Sequence, residues 1–302
     1  MPSTPGRVAV IINPISGTGG RLDVARRRAQ FAAAFLSDRG VDADVFLTER
    51  GGHARALTEA ALERGVTTVV AWGGDGTMNE VASALAFSGA ALGIVPSGSG
   101  NGLARELRIP FEPEAAFDVA LRGTTRFIDA GEFDGHLFFN IAGICLDARV
   151  AHGFAVNGLV RRGFRRYLEI TARELMAGAG SEHTIVTDGE TQRLRTLLIA
   201  IANGCQYGNG AVIAPKACLD DGKLDVVVVA DRSPVMALLQ APRVFMGQIA
   251  RIPGVTMRAA AEIEITSGQA VIYHVDGEPY VGGASVSARC RPQALNVKVP
   301  RT

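Results

Sequence analysis

The chain has 302 residues, of which 47% are hydrophobic and 20% are charged, so it holds ample apolar material for a folded core. This length exceeds what one core usually serves. We therefore expect two domains, with a single large α/β domain as the alternative. The 31 Lys and Arg residues nearly balance the 30 Asp and Glu residues, which removes the general electrostatic case for nucleic-acid binding.

No uncharged apolar run approaches the roughly 20 residues that a membrane-spanning helix needs, so we expect no transmembrane segment. The first residues, MPSTPGRVAV, lead directly into a strand-like run and lack the basic and apolar blocks of a signal peptide. The cysteines have neither a Cys-x-x-Cys pair nor a nearby His at metal-ligand spacing. These features predict a cytoplasmic protein with structural thiols.

In the first part of the chain, short β-branched runs alternate with helix patterns. The strand-like runs RVAVIINP, VDADVFLT, VTTVVAW and ALGIVP are each followed by a segment with helical spacing of its apolar residues. Parallel strands need crossover helices, so this alternation predicts a Rossmann-like parallel α/β domain over residues 1–126. Ligands of such a domain bind at the carboxyl ends of the strands.

From Thr125 onward, alternating runs are joined by turns that contain Asp-Gly pairs, as in RFIDAGEFDGHLFF and HTIVTDGETQRLRTLL. This pattern predicts antiparallel β-structure over residues 127–287. Two helix patterns interrupt it, GLVRRGFRRYLEITARELMAG and PVMALLQAPRVFMGQIA. The last strand-like stretch, ALNVKVP, lies within residues 288–302 and fits either domain.

Three glycine-rich loops follow predicted strands at one edge of the parallel sheet. The first glycine loop is residues 13–20, the second is residues 73–77 and the third is residues 96–102. Glycines let a phosphate approach the backbone, and a helix N-terminus after the loop favours an anion. Because the Walker A and Gly-x-Gly-x-x-Gly patterns are absent here, the three loops predict a different kind of polyphosphate site.

Two side-chain features accompany the second glycine loop. Thr77 and Glu80 have the spacing of a capping box, which predicts that they satisfy the first amides of the following helix. Asp75 places a carboxylate beside the predicted phosphate. That placement is unfavourable unless the carboxylate binds Mg²⁺ or handles a proton.

The strings NPISGTGG, GGDGTMNEV and PSGSGNGLA, in this order, resemble the catalytic domain shared by bacterial diacylglycerol kinases and eukaryotic sphingosine and ceramide kinases. The resemblance covers almost the whole chain and includes APKACLDDGKLDVVVV and VDGEP. GGDGT alone is shared with NAD kinases and phosphofructokinases, whereas the extension to NEV and the later GSGN narrow the resemblance to lipid kinases.

The resemblance implies an α/β domain packed on a C-terminal β-sandwich, with ATP and the lipid substrate meeting in the cleft. It also implies which residues contact ATP: Asn13, Thr48, Gly73, Gly74, Asp75, Gly76, Thr77, Asn79, Glu80, Ser99 and Asn101. The turn around Asp221 resembles the family's Mg²⁺ loop, with the Asp221 carboxylate and the carbonyls of Cys218 and Lys223 as ligands.

VDGEP resembles the family's catalytic strand, which makes Glu278 the expected proton acceptor with Asp276 beside it. Phosphoryl transfer needs in-line positioning, Mg²⁺ to offset phosphate charge and a carboxylate that takes the alcohol proton. Asp75, Asp276 and Glu278 supply carboxylates, and their roles are interchangeable at this stage. His274, two residues before Asp276, is a weak further candidate for the cleft.

The lipid itself stays open between diacylglycerol, a sphingoid base and a related lipid alcohol. Many bacterial diacylglycerol kinases have Asp after the Asn of the third loop, whereas Gly102 follows Asn101 here. The arginine-rich stretch 158–178 is typical either of a basic amphipathic helix on a membrane surface or of a helix covering the sandwich. A homodimer also remains open, as do NAD kinase activity and a catalytically silent nucleotide or lipid sensor.

Overall fold

The computed structural model describes residues 6–17, 22–156, 164–178, 180–208 and 210–301. The chain divides into two compact units. The first contains the residues up to Ile128 and those from Gln293 onward, and the second is Asp129–Pro292.

The first unit is a parallel sheet flanked by helices. Its strands are β1 (Val8–Ile12), β2 (Ala43–Leu47), β3 (Thr68–Gly73) and β4 (Ala91–Pro96). Its helices are α1 (Leu22–Ser37), α2 (His53–Glu63), α3 (Asp75–Leu85), α4 (Gly102–Glu106) and α5 (Pro113–Arg122). The strands pair in the order β2-β1-β3-β4, all parallel. The prediction of a parallel α/β domain is therefore confirmed.

Strands β1 and β4 are apolar along their whole length, as expected for strands of a parallel sheet that helices cover on both faces. Every residue of β1 and of β4 is buried. An aromatic cluster packs α1 and α5 against β3: the Trp72 ring lies 5.9 Å from Phe31 and 5.4 Å from Phe117, both edge-on. This packing fixes the end of β3, from which the second glycine loop departs.

The second unit is built mainly from antiparallel strands. The strands are β5 (Thr124–Phe133), β6 (His136–Phe138), β7 (Ile141–Cys145), β8 (Ser181–Thr187), β9 (Glu190–Ala202), β10 (Leu224–Ala230), β11 (Val255–Ala260), β12 (Glu262–Ser267), β13 (Ile272–Val275), β14 (Glu278–Val281) and β15 (Ser285–Val299). The helices are α6 (Leu146–Val156), α7 (Phe164–Ala177), α8 (Pro234–Gln240) and α9 (Pro242–Phe245), with a 3₁₀ turn at Ile249–Arg251.

Antiparallel pairing links β14-β13-β7-β9-β8-β12-β15, and β9 also pairs with β10, which pairs with β11. Strand β10 buries both of its faces. Val226 and Val228 pack into the core that includes Tyr273, whereas Val227 packs on the other side with Ile249. Alternate side chains of this strand point to opposite faces and so contribute to two apolar layers, as the predicted β-sandwich-like domain requires.

Strand β15 takes part in both pairing patterns. Its first half pairs antiparallel with β12, and Asn296 and Val297 pair parallel with Ala91 and Leu92 of β4. The last strand-like stretch therefore belongs to the first unit, a point that the sequence left open. Within the described residues, no helix combines the length and apolarity needed to cross a bilayer.

Candidate active site

The three glycine loops converge at Gly74. A Cβ added at Gly74 would lie 3.1 Å from the Cα of Gly98 and 3.4 Å from the Oγ of Ser16. A Cβ added at Gly98 would lie only 2.6 Å from the Cα of Gly74, so any side chain at position 98 would clash with the backbone of the second loop. Only glycine allows the second and third loops to approach this closely. Residues 18–20 of the first loop lie outside the described residues. For residues 13–17 and the other two loops, the structure shows the close approach at one sheet edge that the sequence predicted.

Asn13 ties the first loop to the start of α3. Its Nδ2 donates to Thr77 Oγ1 at 2.9 Å, and its Oδ1 accepts from the backbone N of Ile15 at 3.1 Å. Its backbone N donates to the carbonyl of Trp72 at 2.9 Å. Asn13 and Thr77, two predicted ATP contacts, are therefore held side by side by a direct hydrogen bond.

Asp75 ties the second loop to the third. Its two carboxylate oxygens accept from the backbone N of Asn101 and of Gly102, each at 2.8 Å. Asn101 itself lies in the left-handed region with φ 53°, which asparagine tolerates better than most residues. Its side chain closes the turn through two bonds to Gly98, one at 2.9 Å from the Gly98 N and one at 2.7 Å to its carbonyl.

Glu80 caps a different helix from the one on which it lies. Its oxygens accept from the backbone N of Gly52 at 2.9 Å and of Ala54 at 3.0 Å, at the start of α2. Gly74 is the N-cap of α3, without a side-chain cap bond. The capping-box prediction for Thr77 and Glu80 is therefore wrong. Both side chains bind partners that are distant in the sequence, which a local spacing rule cannot register.

Three further predicted ATP contacts lie at the same sheet edge. Thr48 follows β2, is buried, and donates its backbone N to the carbonyl of Ile12 at 2.9 Å. Asn79 lies on the second turn of α3, and its Oδ1 accepts from Ser83 Oγ at 3.4 Å. Ser99, in the third loop, is exposed. The remaining members, Gly73 and Gly76, flank Gly74 and Asp75.

Arg28 of α1 is a site residue that sequence reasoning missed. Its guanidinium donates to the carbonyls of Ser16 at 2.9 Å and Asn13 at 3.4 Å, and lies 5.4 Å from the ring centre of Trp72. Burial lowers the pKa of this guanidinium below its usual value. Arg28 therefore holds the first loop from behind. Arg28 directly follows two other arginines, so the sequence alone does not show which of the three contacts the first loop.

In the second unit, Asp276 organises the turn between β13 and β14. Asp276 and Gly277 have φ values of 47° and 91°, the two-residue geometry that favours Asp-Gly. The Asp276 carboxylate accepts from the backbone N of Phe139 at 2.9 Å, of Asn140 at 3.1 Å and of Ile141 at 3.0 Å. This carboxylate therefore holds the hairpin against the start of β7.

Glu278 differs from the other two candidate carboxylates. It is the first residue of β14, pairs with Val275 and is exposed. No hydrogen bond or ion pair joins its side chain to any other residue that the structure describes. Of the three carboxylates, Glu278 is thus the one that is not committed to backbone amides.

A buried group of polar side chains supports the same hairpin. His274 Nε2 lies 2.9 Å from Asp147 Oδ2, with 4% and 7% of the two side chains exposed, and the Tyr207 hydroxyl also donates to Asp147. His274 Nδ1 accepts from the backbone N of Gly277 at 3.3 Å. His274 is therefore positioned to support the turn rather than to reach solvent.

The turn around Asp221 is exposed and closed by local bonds. Asp221 Oδ1 accepts from the backbone N of Lys223 at 3.1 Å, and the Cys218 thiol donates to Asp220 Oδ1 at 3.1 Å. The bond to Asp220 is the main cause that raises the pKa of the Cys218 thiol. The described residues include no cluster of three His, Cys, Asp or Glu side chains around a metal position. A carboxylate with backbone carbonyls is still an oxygen donor set that suits hydrated Mg²⁺.

Asp129, which sequence reasoning did not single out, anchors this turn from below. It is 1% exposed. Its Oδ2 accepts from the Gly222 N at 2.7 Å, and its backbone N donates to the Leu219 carbonyl at 2.6 Å. Its own carbonyl accepts from Asn203 Nδ2 at 2.9 Å. The position of Asp221 is thus set by a buried carboxylate.

The arginine-rich stretch 158–178, which fits either a membrane-surface helix or a helix covering the sandwich, is only partly within the described residues, because residues 157–163 lie outside them. In α7, Ile170 and Leu175 are buried in a cluster with Leu146 and Leu197. These two side chains of α7 therefore pack onto their own unit, as expected for a helix that covers the sandwich.

Each of the two units matches a known protein family. Residues 7–133 match the family described as diacylglycerol kinase catalytic domain, and residues 141–299 match the YegS C-terminal NAD kinase beta sandwich-like domain. The chain is similar to a solved structure of a diacylglycerol kinase from Bacillus anthracis, with a TM-score of 0.72, 19% identity and 98% of both chains covered. At this identity, the likeness shows the fold.

Two relatives are also similar to this chain in amino-acid sequence over most of its length. A "Probable lipid kinase YegS-like" of Pseudomonas aeruginosa is 33% identical over 280 residues, which cover 89% of this chain and 88% of the relative. A "Diacylglycerol kinase" of Mycobacterium tuberculosis is 30% identical over 308 residues, which cover 98% of this chain and 96% of the relative. The chain therefore belongs to the family of lipid kinases built on the diacylglycerol kinase catalytic domain.

Proposed function

We propose that this kinase uses ATP and Mg²⁺ to phosphorylate a hydroxyl group of a membrane lipid. The observation that carries the proposal is the convergence of three glycine loops at Gly74, joined by the Asp75 carboxylate. The names of the two curated relatives support the lipid as acceptor.

The glycine loops of the first unit would hold the triphosphate. Backbone amides at the start of α3 face an anion with the positive end of the helix dipole. Asn13, Thr77 and Ser99 offer side-chain hydrogen bonds to phosphate oxygens, and Arg28 keeps the first loop in place. Asp75 fixes the second and third loops against each other, so it acts by positioning the phosphate site.

Asp221 with the carbonyls of Cys218 and Lys223 would hold Mg²⁺. Bound Mg²⁺ supplies charge that offsets the negative phosphate oxygens. Asp129 prepares this turn by binding the Gly222 amide.

Glu278 would accept the proton of the attacking hydroxyl. As the lipid oxygen forms its bond to the γ-phosphorus, the bond to the β-phosphate oxygen breaks and ADP leaves, while the hydroxyl proton passes to the carboxylate. Glu278 suits this role because its side chain is exposed and unbonded among the described residues. Asp276 orients the hairpin that presents it.

The acceptor class is a lipid alcohol: diacylglycerol, a sphingoid base or a related lipid. Such a substrate places the working enzyme at the cytoplasmic surface of a membrane. Many bacterial diacylglycerol kinases have Asp at the position of Gly102. Because this chain lacks that Asp, the residue gives no reason to favour diacylglycerol over the other two acceptors.

The test is a transfer assay with γ-labelled ATP and Mg²⁺. Separate reactions contain vesicles with diacylglycerol, phosphatidylglycerol, ceramide or sphingosine, and one contains NAD without lipid. The proposal predicts label in an organic-phase lipid phosphate that requires both Mg²⁺ and one of these lipids. Labelled NADP with unlabelled lipids would instead make the protein an NAD kinase. ATP binding with no transfer in any reaction would make it a nucleotide sensor.

A further inference from the structure

The segment after β10 exposes an unusual density of large apolar side chains. We call the exposed residues of α8, α9 and the residue after α9 the α8–α9 patch. Its members are more than a third exposed: Val235 at 58%, Met236 at 46%, Leu238 at 54%, Leu239 at 67%, Phe245 at 36% and Met246 at 58%. Apolar side chains grouped in this way on a folded surface mark an interaction site.

Helix α8 presents its large residues outward and its small residue inward. Ala237 packs against the buried cluster that contains Ile170 and Leu175 of α7. Leu238 and Leu239 follow it and face away from that cluster with more than half of their surfaces exposed. A helix that only covered a core would bury its leucines, because each buried leucine side chain contributes about 1.5–3 kcal/mol. The arrangement therefore fits a partner outside the unit.

The chain segment that carries the patch has charges of one sign. Residues 232–261 contain four arginines and no acidic residue. Arg258 pairs with Glu190. The other three bond to uncharged oxygens: Arg232 to the Pro253 carbonyl, Arg243 to the Arg251 carbonyl at 3.1 Å and Arg251 to Gln248 Oε1 at 3.5 Å.

Those three arginines have no ion pair with any carboxylate among the described residues, so their positive charges have no direct carboxylate partner there. Apolar side chains beside uncompensated arginines match an anionic bilayer, whose interface takes up the apolar groups while its phosphates attract the cations. A second protein molecule would also cover the apolar side chains, but it would not by itself supply negative charge to the arginines.

We propose that the α8–α9 patch docks the enzyme on an anionic lipid bilayer, with Leu238 and Leu239 inserted at the interface and Arg243 and Arg251 facing the lipid phosphates. The inference rests on the proposed function insofar as a membrane lipid is the acceptor. It assigns the membrane contact to α8 and α9 instead of the arginine-rich stretch 158–178.

The experiment measures vesicle binding without ATP, by flotation with phosphatidylcholine vesicles containing 30 mol% phosphatidylglycerol. The double variant Leu238→Gln, Leu239→Gln should bind these vesicles at least about tenfold more weakly, since it removes two inserted side chains. Arg251→Gln should weaken binding about fivefold on these vesicles at low salt and leave binding to pure phosphatidylcholine unchanged. Phe127→Gln, at a residue of β5 that is 52% exposed, is the matched control and should bind like the wild type.

Unchanged vesicle binding by the double variant would overturn the proposal. So would a wild-type dimer, seen by sedimentation velocity, that the double variant converts to a monomer with vesicle binding intact, because the patch would then join two copies of the chain. Thermal unfolding checks that each variant is folded, and exposed substitutions of this kind usually cost little. Because docking is measured without ATP, loss of the docking result and loss of kinase activity can be told apart.

Discussion

Both carboxylate oxygens of Asp75 accept hydrogen bonds from backbone amides of the third glycine loop. Hydrogen bonds to a charged acceptor contribute about 1.5–3 kcal/mol each, so this residue fixes the distance between two loops before any ligand binds. A carboxylate at this position therefore acts first on the shape of the proposed phosphate site.

Replacing Asp75 with Asn should lower ATP affinity by roughly ten- to a hundredfold, since one amide N–H would face an NH₂ group instead of an oxygen. Isothermal titration calorimetry with ATP measures the loss. Asp23→Asn is a matched control, because Asp23 lies exposed on α1 in an i,i+4 pair with Arg27 and should leave ATP affinity unchanged. Equal affinity for the Asp75 variant and the wild type would contradict this role.

For these residues, the sequence predicted that the glycine loops lie together but not what the side chains around them bind. The glycine loops could be found because glycine and strand ends are local signals. Glu80 and Asp276 bind amides brought near only by the tertiary fold. Asp129 and Arg28 carry no motif at all, so only the folded structure shows that they hold the Asp221 turn and the first glycine loop.

At the scale of elements, helix α2 depends on a cap from another helix. Gly52 supplies no side chain at its N-cap, and Glu80 of α3 accepts from its first amides. Glu80→Ala should lower the free energy of unfolding by about 1–2 kcal/mol, as loss of a helix cap does. Urea unfolding followed by circular dichroism provides the value.

Glu59→Ala is the control for the helix cap. Glu59 forms an exposed i,i+4 pair with Arg55 on the same helix, and such a pair contributes about 0.3–0.5 kcal/mol. An effect of Glu80→Ala no larger than that of Glu59→Ala would show that α2 does not need the cap.

Two Asp-Gly hairpins offer a matched comparison for the candidate catalytic turn. Asp188 in the β8–β9 turn accepts from the backbone N of Ala261 and Glu262, much as Asp276 accepts from the start of β7. Asp276→Ala and Asp188→Ala should each lower the free energy of unfolding by about 1–3 kcal/mol. Only Asp276→Ala should also reduce kcat, because it releases the hairpin that presents Glu278. Equal kcat in the two variants would contradict the positioning role.

The elements themselves could largely be predicted from sequence. Alternating strand and helix patterns gave the parallel sheet, and Asp-Gly pairs marked hairpin turns whose aspartates and glycines have positive φ. The capping box failed because Thr77 binds Asn13 and Glu80 binds α2. The outward leucines of α8 could not be predicted, since only the packing of α7 against Ala237 decides which face is buried.

At the scale of the whole molecule, the response to acid should include a contribution from one buried imidazole. Burial lowers the pKa of His183 below its usual 6.5, and its ring lies 2.8 Å from Thr196 Oγ1. Below pH 6.5, the unfolded chain then binds a proton that the folded chain does not. The free energy of unfolding therefore falls as the pH drops from 7 to 5, by at most about 1.4 kcal/mol per pH unit for this group.

His183→Gln removes this group, so its unfolding free energy should depend less steeply on pH over the same interval. Urea unfolding at pH 5, 6 and 7 measures the slope. A variant slope equal to that of the wild type would assign the acid response to other groups.

The two-unit organisation rests on one feature that local patterns left undecided, the return of β15 to the first unit. Asn296 and Val297 complete the parallel sheet beside β4, whereas the first half of the same strand belongs to the antiparallel sheet. An alternating apolar pattern is the same in both settings, so only strand pairing distinguishes them.

The claim that Glu278 accepts the hydroxyl proton can be checked by comparing the rate of lipid phosphorylation in Glu278→Gln with that of the wild type, at saturating Mg²⁺ and with ATP binding measured in parallel. Loss of the proton acceptor should lower kcat by about 10²–10⁴-fold, while ATP affinity stays within twofold and the protein stays folded. A Glu278→Gln variant that phosphorylates lipid at the wild-type rate would contradict the claim.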